Sequence, residues 1–203
     1  KKNKLPWTVE CRANLKYETM VMMKKAGCRL IVVGFESADD QILKNIKKGL
    51  TFERMRKFVE DAKRAGIKIH ACFMAGNKGE TKETLMESLK FAKEMNADTC
   101  QFFPLMVYPG TEAYEWAKAN NYLTTTDFRN WLTADGLHNC VVSTPELSAK
   151  ELVAFCDYAR KSYYLNPKYL CYKFAEVVKN PEEMRKTLKS AKTFARYLFR
   201  KNT

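Results

Sequence analysis

With 203 residues, 46% of them hydrophobic, the chain has room for one domain or a domain with an appendage. No apolar run approaches the roughly 18 residues of a membrane span, and no signal peptide opens the sequence. The net charge of +13 gathers largely after Lys161. No nucleic-acid motif accompanies it, so we read it as the solvated face of amphipathic helices and expect no nucleic-acid partner.

The sequence opens KKNKLPW and enters a strand almost at once, which reads as the start of a fragment. From Trp7, apolar Val9 and Cys11 alternate with Thr8, Glu10 and Arg12, the period of a strand. Glu10 and Arg12 share one face near its end. Leu15–Ala26 reads as a helix closed by Gly27. Then comes CRLIVVGFES, residues 28–37. The apolar run Leu30–Phe35 ends abruptly at Glu36. It suggests a strand buried on both faces, as in a parallel sheet. Carboxylates at such strand ends are where α/β proteins keep ligand chemistry.

A short helix is predicted over Ala38–Lys48, closed by Lys47-Lys48-Gly49. Thr51 is a candidate cap for a helix with Phe52, Met55, Phe58, Val59, Ala62 and Ala65 on one stripe, stopped by Gly66. Ile67–Ala75 is the third strand. It runs into Gly76-Asn77-Lys78-Gly79-Glu80, where two glycines permit a close ligand or an ordinary tight turn. Thr81 starts the next helix. Ala97–Val107 is the fourth strand, followed by Tyr108-Pro109-Gly110-Thr111 and a helix through Trp116. Residues 120–145 show no strong period, with Val141-Val142 a candidate short strand. From Leu147 the chain is helical, with a capping box at Ser148 and Glu151. Pro167 and Asn180-Pro181 divide off two further helices.

Four strand–helix units mean an α/β fold with a parallel sheet and right-handed crossovers. Four strands do not close a barrel, so the sheet is either small and open or part of a larger barrel. Seven cysteines, none in a C-x-x-C pair, suit reduced thiols in a cytoplasmic protein.

At this point the chain resembles a family. Residues 27–85 (GCRLIVVGFESADDQILKNIKKGLTFERMRKFVEDAKRAGIKIHACFMAGNKGETKETL) look like the later half of the core of radical S-adenosylmethionine (radical SAM) enzymes, and YPGTEAYEWA at 108–117 resembles the segment after their last core strand. The likeness is specific as a combination and covers residues 7 to about 165. It is closest to the subgroup that often carries an N-terminal cobalamin-binding domain. The resemblance implies a partial TIM-type (β/α) barrel over residues 1–145 and a helical extension over 146–203. It implies S-adenosylmethionine and a four-iron four-sulfur cluster as cofactors, a small-molecule or lipid-like substrate, and radical or methyl transfer; it leaves the parent's use of cobalamin open. Glu10 and Glu36 would then reach the ribose hydroxyls or the methionine moiety. Arg12 would hold the methionine carboxylate or order those glutamates, with Lys48 a second candidate for the carboxylate. Phe73, Met74, Ala75 and Gly76 would lie against the adenine, and Tyr108 and Pro109 would line the floor or the substrate side.

Two departures stand out. The cluster motif C-x-x-x-C-x-x-C is absent from these 203 residues, as is the glycine-glycine-glutamate segment that grips the methionine amino group. The expectation is therefore the C-terminal part of a longer enzyme, inactive alone, with the cluster held by residues outside it and no metal ligands of its own. The alternative is a non-catalytic half-barrel module that recognises an anionic partner through its basic tail. Either way the first strand exposes an edge, across which the fragment is expected to dimerise unless its own helices cover it.

Overall fold

The computed structural model describes residues 5–132 and 139–179, and residues 184, 187, 189 and 192 beyond them. Two compact units divide the chain, Lys1–Arg160 and Lys161–Thr203.

The first unit is built on a parallel sheet of four strands in sequence order. They are β1 (Trp7–Cys11), β2 (Cys28–Glu36), β3 (Lys68–Ala75) and β4 (Thr99–Pro104). Between them run α1 (Tyr17–Lys25), α2 (Asp40–Asn45), α3 (Phe52–Arg64) and α4 (Lys82–Met95), and α5 (Glu112–Ala119) follows β4. The helix starts obey local capping chemistry. Asp39, Thr51, Thr81 and Thr111 each accept a first-turn backbone N–H at the head of α2, α3, α4 and α5.

One sheet face is fully dry. Ile31, Val33 and Phe35 of β2, Ile69, Ala71, Phe73 and Ala75 of β3, and Cys100 and Phe102 of β4 are buried there. Helices α3 and α4 close over them: Phe35 meets Phe58 edge-on at 6.3 Å, and Phe73 meets Phe91 at 6.5 Å. Phe73 also stacks on Phe102 at 5.0 Å. The opposite face is only half-buried, at Leu30, Val32, His70, Cys72 and Met74. The β2 run is thus buried on one face, not both, because helices cover the sheet from one side only among the described residues.

The fourth strand is shorter than its apolar run. It stops at Pro104, which has no N–H for the ladder, although the Leu105 amide still donates to the Ala75 carbonyl at 2.7 Å. Beyond it, Leu105, Val107, Ala117, Trp131, Val141 and Val142 form a second small core. Val142 makes an isolated antiparallel bridge to Leu123, which is the outcome for the expected short strand.

Helix α6 (Ala149–Tyr164) begins at the Ser148–Glu151 capping box, where each residue accepts the other's backbone N–H, at 2.9 and 3.2 Å. Its first turns belong to the sheet unit. Phe155 meets Phe102 edge-on at 5.9 Å, and Leu152 lies against Gly76. The division between the two compact units falls inside α6, after Arg160. In the second unit, Tyr163, Tyr164 and Tyr169 pack ring on ring at 5.2 Å around the turn into α7 (Pro167–Lys179). Most of the helix expected from Asn180 lies outside the described residues, and Met184, Thr187, Lys189 and Lys192 within it are helical. Among the described residues, no helix is long and apolar enough to cross a membrane.

Candidate functional site

The strand register sorts the polar residues of the half-buried face into rows. Glu10 lies opposite Val32, which lies opposite His70, which lies opposite Thr99. The next row toward the strand ends is Gly34, Cys72 and Gln101. Met74 and Phe103 follow. Neighbours in register share a face, so one side of the sheet carries a carboxylate, an imidazole, a thiol and an amide.

Glu36 ends β2 with a left-handed backbone, φ 68°. That conformation is uncommon outside glycine and costs on the order of 1 kcal/mol or more. The register slips at the same point, between Gly34 and Glu36. The slip turns the Glu36 side chain back over the sheet. Its Oε1 accepts a 2.7 Å hydrogen bond from Lys48 Nζ, and both side chains are largely enclosed. A Cβ placed on Gly34 would sit 2.2 Å from that carboxylate oxygen and 3.1 Å from the ammonium. Gly34 is therefore the bed on which the ion pair lies. Lys48 reaches it from the turn after α2, where Lys47 adopts φ 53° and Gly49 φ 64°.

Cys72 lies beside Gly34 in the register. Its thiol is pushed up to about 11, first by burial and then by the charges of Glu36 and Glu10. Both carboxylates therefore bear on one point of the open face. Deeper in, His70 Nδ1 and Thr99 Oγ1 are 2.7 Å apart. Burial lowers the His70 imidazole, while a hydrogen bond with Gln101 works against that shift.

The loop after β3 is held from inside. Glu80 is buried, and its Oε2 accepts the backbone N–H groups of Gly76 at 2.5 Å and Asn77 at 3.0 Å. Asn77 Nδ2 donates to the Met74 carbonyl at 2.8 Å. Gly76 has φ 105° and takes Leu152 against its α-carbon, where a Cβ would stand 2.9 Å from Leu152 Cδ1. Two buried acceptors here, Asn77 Oδ1 and Glu80 Oε1, have no hydrogen-bond partner.

The sequence-derived set is thus partly gathered. Glu36 and Lys48 pair, and Glu10 is exposed on the same face, opposite Val32. Met74 shares their face, whereas the side chains of Phe73 and Ala75 are committed to the dry core, leaving only their backbone for a ligand. Gly76 is occupied by Leu152. Arg12 is exposed past the end of β1. Tyr108 is exposed and lies 6.1 Å from the Trp131 ring, in the second core. Sequence reasoning missed His70, Cys72, Thr99 and Gln101. The period-two alternation of IKIHACFMA was the available signal, since it puts His70, Cys72 and Met74 on one face.

Residues 1–92 match the model of the Radical SAM superfamily. An uncharacterized methyltransferase of Pyrococcus horikoshii is 34% identical over 167 residues, 82% of this chain and 36% of that protein. The bacteriochlorophyllide d C-8(2)-methyltransferase of Chlorobaculum tepidum is 28% identical over 127 residues, 62% of this chain and 28% of that protein. The chain therefore spans about a third of the length of these curated relatives. In fold it is similar to the radical S-adenosylmethionine methyltransferase TsrM from Kitasatospora setae, solved with cobalamin and a 4Fe-4S cluster bound. The TM-score is 0.63 at 21% identity, over 82% of this chain and 37% of that one. The parallel sheet with its helices is a segment of the TIM-type barrel of such enzymes. By the family match over its first three strands and by these relatives, the chain is similar to members of the Radical SAM superfamily.

Proposed function

We propose that this chain supplies the later strands of the core of a radical SAM enzyme and that its open sheet face takes S-adenosylmethionine at the C-terminal end of β2. The observation that carries this reading is Glu36, a left-handed residue folded over a glycine and braced by a half-buried lysine. Backbone strain held in place by a dedicated glycine and an ion pair marks a functional carboxylate more than a solvated one.

The donor set suits the cofactor. Ionised carboxylates only accept hydrogen bonds, which matches the ribose hydroxyls and the methionine ammonium; Glu10 and Glu36 take that part. Lys48 and Arg12 offer cations to the methionine carboxylate. Met74 and the backbone of residues 73–76 give the adenine an apolar edge and hydrogen-bonding groups.

The residues present do not fit a four-iron four-sulfur cluster. The three-cysteine motif is absent from the sequence, and among the described residues no three His, Cys, Asp or Glu side chains are grouped to hold a metal ion. We assign the cluster to residues outside this chain, which alone is then inactive. Reductive cleavage of S-adenosylmethionine, and radical or methyl transfer to a small-molecule or lipid-like substrate, are reactions of the longer parent. The methyltransferase relatives and the cobalamin-bound fold neighbour support methyl transfer with cobalamin in that parent. The seven free cysteines suit a reducing, cytoplasmic setting. Calorimetric titration with S-adenosylmethionine, repeated on Glu36→Ala, tests the reading.

A further inference from the structure

We propose that the groove between the β1–α1 loop and the α2–α3 turn binds a compact, multiply charged oxyanion: the phosphoryl or carboxylate arm of a small-molecule ligand. The cavity measures about 670 Å³, well inside the range of roughly 300–1,000 Å³ for small-molecule sites. Six cations line it: Arg12, Lys16, Lys47, Lys48, Arg54 and Lys57. Among the described residues only two acids do, Glu18 and Asp61.

The pairing of these charges decides the argument. Lys57 is taken up by Asp61, at 2.8 Å, Lys48 by Glu36 and Lys47 by Glu112. Asp61 also holds Arg64 at 3.2 Å. Arg12, Lys16 and Arg54 have no carboxylate partner among the described residues. Three exposed cations around one cavity set up a positive potential that draws an anion in. A further set of donors faces the same space. Lys16 stands at the N-cap of α1 without a side-chain cap, so the first-turn amides around Tyr17 and Glu18 are open to an anion, with the positive end of the helix dipole behind them. Leu50 and Phe58 supply apolar wall. The charges cluster around one half-open groove instead of running along a stripe, which suits a compact anion better than a nucleic-acid backbone.

Lys48 lines both this groove and the Glu36 site. An anionic arm seated here would thus sit next to the proposed cofactor position. Arg12 and Lys48, proposed above for the methionine carboxylate, both line this groove, so the test rests on Lys16 and Arg54, which the cofactor reading does not use.

The test is titration of the chain with inorganic pyrophosphate at low ionic strength, followed by calorimetry and backbone amide shifts. Tricarballylate serves as the carboxylate probe and a short single-stranded oligonucleotide as the polymer probe. We expect saturable binding of pyrophosphate or tricarballylate, with shifts at Glu18, Gly49 and Leu50; whichever binds tighter identifies the arm. Lys16→Glu/Arg54→Glu, both changes at exposed positions, should weaken it at least about tenfold, the scale of a lost charge-assisted contact. Lys90→Glu, exposed on α4, should leave it within about twofold, since distant surface charges are screened. The proposal fails if neither small anion saturates, if Lys90→Glu weakens binding as much as a groove substitution, if the shifts fall elsewhere, or if only the oligonucleotide binds.

Discussion

The carboxylate of Glu36 rests on the α-carbon of Gly34, in the space a Cβ would fill: that atom would stand 2.2 Å from Oε1. The backbone of Gly34 is not left-handed, so alanine meets no backbone obstacle there. Gly34→Ala should cost less than about 1 kcal/mol in stability, because only the mobile ends of Glu36 and Lys48 must shift. It should nevertheless remove the site. We expect an unchanged circular dichroism spectrum, a melting temperature within a few degrees of wild type, and loss of S-adenosylmethionine binding comparable to Glu36→Ala. Retained binding would mean that the position of the carboxylate over Gly34 is unimportant.

Cys72 reports on the same place. Its thiol is pushed up to about 11 by burial, with Glu36 and Glu10 adding to the shift. Alkylation at pH 8 should therefore label the exposed Cys171 well before Cys72. Replacing Glu36 by Gln removes one raising charge, and labelling of Cys72 should quicken about two- to fivefold. Peptide mass mapping over a time course gives both rates. An unaltered Cys72 rate would place Glu36 away from the open face.

Glu80 sets a pH dependence of stability. Burial pushes its carboxyl up to about 7, against the backbone N–H groups of Gly76 and Asn77, which pull it down. A folded-state value above the unfolded one makes the protonated acid the native form. The contribution is full below the ordinary carboxyl value near 4.5 and is lost as pH rises through 7. Its size is at most about 3 kcal/mol. Protonation also turns one of two buried orphan acceptors into a donor. Urea midpoints should fall between pH 5 and pH 8 in the wild type. Glu80→Gln, which keeps the acceptor and adds a permanent donor, should flatten that slope and be the more stable protein at pH 8. An equal slope in both proteins would remove Glu80 as the cause.

Much of the fold was legible because it rests on local rules. The Val-Ile run of β2, the caps at Thr51 and Thr81, and the Ser148–Glu151 box each follow from a handful of neighbouring residues. Glu10, Glu36 and Lys48 were legible through the motif that GFES and the lysine-glycine pair compose. What escaped depends on parity and register. Phe73 and Cys72 are adjacent in sequence and opposite in space, and only pairing with β2 and β4 assigns the core to one and the open face to the other. His70, Thr99 and Gln101 meet across two strands separated by a whole helix. The basic groove joins two loops more than thirty residues apart; Arg12 and Lys48 were each legible in their own loop, but not that the two loops meet.

Strand β1 ends the sheet, and among the described strands only β2 pairs with it. We expect the chain to self-associate across that edge. Sedimentation velocity at rising concentration should show a growing dimer. A monomer at all concentrations, with the β1 amides protected from exchange, would show the edge to be covered within the chain.

The most direct measurement is calorimetric titration of S-adenosylmethionine into the wild-type chain, Glu36→Ala and Lys48→Ala. Weak saturable binding by the wild type, lost or reduced at least about tenfold in Glu36→Ala and weakened in Lys48→Ala, is the expected result. Binding that is equally strong in all three proteins would contradict the assignment of the open face at the end of β2 to the cofactor.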